Sequence, residues 1–183
     1  MNQPWYRRLF GRTPASDPQS TQAALNHGDS QVQFGLGLQC ASGEGGAQDY
    51  VQAAEWYRKA AAQSHALAQF NLGLMYASGQ GVPQDDTAAV MWIRKAADQG
   101  DAAAQFNLGV RHQRTGADTL HQDALESRIE AYKWLNLAAA QGYRGSAAAC
   151  ERVTLTMTRE SVSDGNQRVA AFVAEMAKRP QNQ

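Results

Sequence analysis

Residues 66–100 read ALAQFNLGLMYASGQGVPQDDTAAVMWIRKAADQG, and this stretch decides the fold because it encodes one complete helix, turn and helix. Its motif Gln-Phe-x-Leu-Gly at residues 69–73 recurs 36 residues earlier and 36 residues later. Its motif Trp-x-Arg-Lys-Ala at residues 92–96 also recurs 36 residues earlier, whereas the third tryptophan comes late, at Trp134. Self-similarity at such a period is typical of a solenoid, in which each unit buries its apolar face only against its neighbours.

The repeat period predicts how the 183 residues are organised. Residues 22–29 resemble the end of a second-type helix and its turn, so the array is expected to begin with half a repeat that caps it. The predicted segments are a tail and linker at 1–20, a repeat region at 21–142 whose three repeats cover about 29–64, 65–100 and 101–142, capping helices at 143–179 and a tail at 180–183.

Turn residues predict where the helices begin and end. The first helix of the first repeat is expected at about Ser30 to Ser42, and Asp49 is placed to cap the helix that follows. Asp85 holds the equivalent position one repeat later. Gly100 is expected to end its helix in the left-handed conformation, whereas Ser64 stands at the same position one repeat earlier and predicts a less sharply defined end.

The third repeat carries six extra residues between its glycine and its tryptophan. They are predicted to lie in or near residues 116–123, which makes this loop the candidate variable feature of the array. Ser127 and Glu130 form a capping box, so the next helix is expected to begin at Ser127 or up to one turn earlier.

Glycine recurs at one register inside the first helices, as Gly37, Gly73 and Gly109. Each costs about 1 kcal/mol relative to alanine in a helix interior. The pattern predicts that the paired helices cross so closely that a methyl group would collide, with the tryptophan of each repeat supplying bulk nearby.

Composition excludes several classes of partner. Seventeen basic and seventeen acidic residues leave no net charge, and no Lys/Arg cluster could track a phosphate backbone, so nucleic acid is not expected as a partner. No run approaches the roughly 20 apolar residues that span a bilayer, and no apolar secretion signal opens the chain. The protein is therefore expected to be cytoplasmic. Residues 5–12 combine aromatic residues with arginines, which suits a membrane surface or a docking groove but equally a frayed or self-packed tail.

The landmarks Leu-Gly, Gly-x-Gly-Val, Asp, Trp-x-x-Lys-Ala-Ala and Gln-Gly, almost complete between residues 66 and 100, resemble the Sel1-like repeat (SLR), a relative of the tetratricopeptide repeat (TPR). The resemblance weakens in the third repeat, where His112 replaces a tyrosine and Leu137 replaces the lysine. It implies an all-α fold, a right-handed α/α superhelical solenoid of antiparallel helix pairs, that acts as a protein-binding adaptor in bacterial or eukaryotic assemblies. It does not by itself imply an enzyme.

The first helix of each repeat has a second apolar face, opposite its leucine. By resemblance to TPR arrays, this face lines a concave groove for a peptide or protein partner, and alternatively it is buried between successive repeats. The predicted partner-binding residues are Phe34, Leu38, Phe70, Asn71, Leu74, Phe106, Asn107, Val110 and Arg114.

No catalytic or cofactor-binding constellation is predicted. The four histidines are too scattered to form a ligand set, and His121 with Asp118, Asp123 and Glu126 is more simply a solvated loop than a metal site. The sequence therefore favours a non-catalytic scaffold. Two alternatives stay open: a small hydrolase built on the same repeats, and a membrane-recruited regulator that uses residues 5–12.

Overall fold

A computed structural model describes residues 28–43, 46–117 and 123–179, and every regular element in these ranges is an α-helix. The all-α prediction is confirmed. The predictions for the tail and linker at 1–20, for residues 22–27 of the half-repeat cap and for the tail at 180–183 concern residues outside the described part. The helices are α1 Ser30–Ser42, α2 Tyr50–Ala62, α3 Ala66–Ser78, α4 Asp86–Ala97, α5 Ala102–Gly116, α6 Asp123–Ala140, α7 Ser146–Thr154 and α8 Arg159–Lys178.

The chain divides between Asp85 and Asp86 into two compact units. In the first unit, α2 packs against both α1 and α3. In the second unit, α5 packs against α4 and α6, and α6 also contacts α7 and α8. One buried cluster of the second unit joins α6 and α7 through Ala131, Tyr132, Leu135, Ala149 and Val153, and Ile93 of α4 and Leu108 of α5 are buried as well.

Polar side chains 36 residues apart cap the first helix of each repeat. The carboxylate of Asp29 accepts a hydrogen bond from the Gln31 amide at 2.8 Å, and that of Asp101 accepts one from the Ala104 amide at 2.7 Å. In the second repeat the Nδ1 atom of His65 takes this role. Each cap satisfies an amide that the helix leaves unpaired, so the repeat fixes where its first helix begins.

Asp49 and Gly100 lie at helix ends in the predicted roles, and Ser64 shows an additional feature. The side chain of Asp49 caps α2, as predicted, by accepting from the Gln52 amide at 3.0 Å. Gly100 adopts the predicted left-handed backbone with φ of 93°. Ser64, its counterpart one repeat earlier, adopts the same conformation with φ of 64°, although a side chain there carries a steric cost.

Close helix crossings explain the glycines that interrupt the first helices. A Cβ atom on Gly37 would lie 2.5 Å from Cε1 of Tyr57, and one on Gly109 would lie 2.6 Å from Cγ of Leu135. Both distances are far below van der Waals contact, so only glycine fits. At these two crossings the atoms nearest to the added Cβ belong to the residue that follows the tryptophan, Tyr57 or Leu135.

Buried glutamines link the repeats, a role that the sequence analysis did not assign. Gln69 donates to the carbonyl of Ala61 at 3.1 Å, and Gln105 donates to that of Ala97 at 3.2 Å. Gln105 also accepts a hydrogen bond from the Gln141 amide at 2.9 Å, so its carboxamide serves as both donor and acceptor. Such bonds satisfy polar groups that would be costly to bury alone.

Both helices of the third repeat are longer than their counterparts in the second repeat. Helix α5 has 15 residues where α3 has 13, and α6 has 18 residues where α4 has 12. The alternative in which α6 begins one turn before Ser127 is the correct one. Residues 118–122 lie outside the described part of the chain, but the extension itself is helical.

Candidate functional site

The exposed apolar part of the predicted partner surface lies on α3. Leu67 and Leu74 are each 36% exposed, and Phe70 and Asn71 between them are half-buried. Leu67, Asn71 and Leu74 stand at i, i+4 and i+7, so they share one side of the helix. Leu67 was missed by the sequence analysis, although its spacing to Asn71 and Leu74 could have identified it. The side chains together form an apolar strip with one amide in it.

Phe34, which was predicted to line the groove, is a core residue instead. Its ring is 3% exposed, stacks on the imidazole of His65 at 4.7 Å and lies 5.8 Å from the ring of Tyr57. The cause is His65, which stands at the start of the next repeat and covers the ring. Leu38, one turn further along α1, is half-buried. Phe34 therefore supports the surface from inside the first unit.

Phe106 and Val110 of the second unit are intermediate in exposure between surface and core residues. Both are half-buried and pack against the core formed by α6 and α7. The ring of Phe106 also lies 5.2 Å from that of Tyr143, which stands at the start of the segment that follows the third repeat. Only part of each side chain is accessible, so this end of the predicted surface is mainly structural.

Polar side chains accompany the predicted surface on α5. The carboxamide oxygen of Asn107 accepts a hydrogen bond from Nε of Arg111 at 3.3 Å, and Arg111 lies 4.0 Å from the carboxylate of Asp86. Arg114, one turn further along, is exposed. The amide of Asn107 and the guanidinium groups of Arg111 and Arg114 could form hydrogen bonds with the polar atoms of a peptide.

An arginine of α2 and an arginine of α4 each contact an aromatic ring on the first helix of the next repeat. Arg58 donates to the hydroxyl of Tyr76 at 3.4 Å, and a guanidinium nitrogen of Arg94 lies 3.3 Å from Nε2 of His112. The two pairs are 36 residues apart, so the same type of side-chain contact occurs once in each unit. Burial lowers the pKa of His112, and the charge of Arg94 acts in the same direction. His112 is therefore held neutral as an acceptor.

His65 also has a structural task. Its Nδ1 accepts from the Ala68 amide at 3.2 Å, and its Nε2 lies 2.9 Å from the carboxamide oxygen of Gln31. This geometry requires the tautomer with hydrogen on Nε2. Burial is the main cause that lowers the pKa of His65.

Neither described histidine supports the hydrolase alternative, because each is engaged in holding helices together. His27 and His121 lie outside the described residues. In the ranges 28–43, 46–117 and 123–179, no group of three or more His, Cys, Asp or Glu side chains is arranged to hold a metal ion.

Among the helices in the described residues, none is long and apolar enough to cross a bilayer. The aromatic and basic stretch at residues 5–12, on which the membrane-recruited alternative depends, lies outside the described part.

Comparison with known families and structures identifies the repeat. The sequence profile of the Sel1 repeat matches residues 30–65, 66–101 and 102–143. No functionally curated protein matches the chain. Sel1 repeat proteins generally act as scaffolds for protein–protein interaction.

Two solved structures share the architecture. The first is a protective antigen of uropathogenic Escherichia coli with an SLR fold, which has 24% sequence identity and a TM-score of 0.73 over 94% of this chain. The match spans 37% of that longer protein. The second is a Sel1 repeat protein from Oxalobacter formigenes, with 29% identity and a TM-score of 0.62, covering 80% of this chain and 98% of that one. The fold is thus an all-α helical repeat solenoid.

Proposed function

This chain belongs to the Sel1 repeat family, and from that premise we propose that it is a non-catalytic protein-interaction scaffold of a bacterial cytoplasm. Its partner is a peptide or protein segment that seats on the surface of the first helices. The scaffold contributes a surface that is already ordered, so binding costs little conformational entropy on its side.

The observation that carries the proposal is the exposed strip on α3. Leu67 and Leu74 each leave 36% of their surface in water, on either side of the half-buried Asn71. Exposed leucines are favourable to cover, and an amide between them can orient a peptide backbone through both a donor and an acceptor. An apolar helix face with spaced anchors is a common mode of peptide recognition.

The proposal assigns different tasks to the predicted residues. Phe70, Asn71 and Leu74 contact the partner in the first unit, with Leu67 added and Leu38 at the margin. In the second unit, Asn107 and Arg114 contact a partner through polar groups. Phe34, Phe106 and Val110 act indirectly, because their packing fixes the helices that carry the contacting residues.

Peptide binding to matched variants tests the proposal. A peptide is selected from a random library on the full chain, and its affinity is measured by calorimetry. Leu74→Ser is expected to weaken binding by about tenfold, which corresponds to about 1.4 kcal/mol, because the leucine is a central contact. Asn71→Ala is expected to weaken it as well.

Val51→Ser provides the control. Val51 is 59% exposed on α2, a second helix, so the same type of change there removes an exposed aliphatic side chain outside the proposed surface. Equal losses of affinity at Leu74 and Val51, with helicity retained in both variants, would contradict the proposal. Phe34→Ala should instead lower the free energy of unfolding, because its ring lies in the core.

A further inference from the structure

The C-terminal helix α8 is held in an unusual way. Of its 20 residues, only Ser161 and Gly165 are buried, and both are small. Helix α6, against which α8 packs, has eight buried residues among 18. The larger apolar side chains of α8, among them Val162 and Phe172, are only half-buried, so each contributes just part of its area to the attachment of the helix. Segments with few buried apolar contacts open at low free-energy cost.

Specific contacts between α8 and α6 add to that partial burial. A Cβ atom on Gly165 would lie 2.5 Å from Cδ1 of Tyr132, so glycine lets the tyrosine ring lie directly on the backbone of α8. The Tyr132 hydroxyl donates to the carboxamide oxygen of Asn166 at 2.8 Å. The ring of Phe172 meets that of Trp134 edge to face, with centroids 5.6 Å apart.

A guanidinium group completes the attachment. Arg168 donates from one nitrogen to Glu130 at 2.8 Å and from another to Glu126 at 2.9 Å. Glu130 also accepts from the indole of Trp134 at 3.0 Å, which joins the acidic and aromatic parts of the surface. A planar guanidinium suits two carboxylates better than an ammonium does, so the surface selects arginine.

The third repeat alone has this surface. Glu126 lies eight residues before Trp134, in the part of α6 that extends beyond the length of α4. Glutamine and alanine occupy the positions of Glu130 in the first and second repeats, at residues 52 and 88. Trp134 is fully buried, whereas Trp56 and Trp92 are partly exposed. The extra residues of the third repeat therefore build the acidic half of a receptor for a helix.

We propose that Glu126, Glu130, Tyr132 and Trp134 form a helix-recognition site, which α8 occupies in cis and yields to a helix of a protein partner. The fitting helix carries a small residue, an arginine three positions later and an aromatic residue four positions after that, as in Gly165, Arg168 and Phe172. Positions i, i+3 and i+7 share one helix face, so a single helix presents all three groups. This site is separate from the surface on α3.

A labelled peptide with the sequence of residues 158–179 tests the proposal on the full chain. Fluorescence anisotropy measures its binding to the wild type and to Arg168→Gln, in which the attached helix has lost its guanidinium but the receptor on α6 is intact. Cis occupancy reduces apparent affinity by the fraction of time that the site is open. We therefore expect the peptide to bind Arg168→Gln at least about tenfold more tightly than it binds the wild type.

Two matched changes show whether binding uses the proposed contacts. A peptide with glutamine in place of its arginine should bind Arg168→Gln at least about tenfold more weakly than the original peptide. The receptor change Glu126→Gln, added to Arg168→Gln, should also weaken binding of the original peptide. Phe172→Ala in the chain provides a second opened variant, which should gain affinity for the peptide as Arg168→Gln does.

Three results would overturn the proposal. One is no peptide binding to either opened variant while circular dichroism shows that helicity is retained. Another is equal binding of the arginine and glutamine peptides. The third is a wild-type dimer in light scattering that Arg168→Gln converts to monomer, because the helix would then belong to a second copy of this chain.

Discussion

Gly35 and Gly37 lie two residues apart in α1, and their replacement by alanine should change stability in opposite directions. A Cβ atom on Gly35 meets nothing within 4 Å, so Gly35→Ala gains only helix propensity, about 0.5–1 kcal/mol. A Cβ atom on Gly37 would lie 2.5 Å from Cε1 of Tyr57, whose ring is 3% exposed and cannot move freely. Overpacking of this kind costs about 1–3 kcal/mol.

The propensity gain is common to both variants, so the difference between their free energies of unfolding isolates the packing cost of about 1–3 kcal/mol. Gly109→Ala extends the test to the second unit. There the added atom would lie 2.6 Å from Cγ and 3.1 Å from the backbone nitrogen of Leu135, which cannot rotate away. Gly109→Ala should therefore destabilise at least as much as Gly37→Ala.

Urea titration followed by circular dichroism measures these free energies, with the slope checked for a constant change in exposed surface. Equal stabilisation by Gly35→Ala and Gly37→Ala would refute the reasoning, because it would mean that Tyr57 does not limit the approach of α1 and α2.

Three further predictions follow from backbone conformation, titration and buried polarity. Residues 64 and 100 both have a left-handed backbone, which favours glycine. Ser64→Gly should therefore raise the free energy of unfolding by up to about 1 kcal/mol, and Gly100→Ala should lower it by about the same amount, as measured by urea titration. The pKa of His65 is lowered in the folded protein, so below pH 6.5 the unfolded state binds more protons than the folded state. The free energy of unfolding should therefore fall as the pH drops from 6.5 through the folded-state pKa. Urea titrations at successive pH values measure this dependence, which His65→Asn should reduce. Gln105→Leu should lower the free energy of unfolding in urea titration by about 1 kcal/mol, because it removes the buried hydrogen bond from Gln105 to the Ala97 carbonyl, and a neutral result would contradict the assigned bond.

The sequence predicted the helical framework well because the same local signals occur three times. Helix α1 spans Ser30–Ser42 as predicted, and Asp49 caps α2. The glycines of the first helices were correctly ascribed to close crossings, at least at Gly37 and Gly109. These features depend on residues close in sequence or at a fixed repeat spacing, so periodicity is sufficient to find them.

Exposure of the phenylalanines could not be predicted from the same periodicity. Phe34 and Phe106 hold equivalent positions, yet their exposure depends on the residue that begins the following segment, His65 in one case and Tyr143 in the other. Periodicity relates each helix to its own copies and not to the start of the next repeat. A binding surface in a repeat array is thus decided partly by the neighbour that covers it.

The C-terminal helix shows why a docking face can escape a hydrophobic pattern. Helical spacing places Val173 beside Phe172 and Val169, but Val173 is 54% exposed, whereas Gly165 and Arg168 contact α6 together with Phe172. A glycine and an arginine contribute nothing to an apolar stripe, and the carboxylates that bind Arg168 lie 38 and 42 residues earlier in the chain. A helix attached in this way depends on a few directional contacts, each of which an equivalent partner helix could reproduce. The use of glycine and arginine contacts therefore explains both why the hydrophobic pattern does not indicate the docking face and why α8 is replaceable.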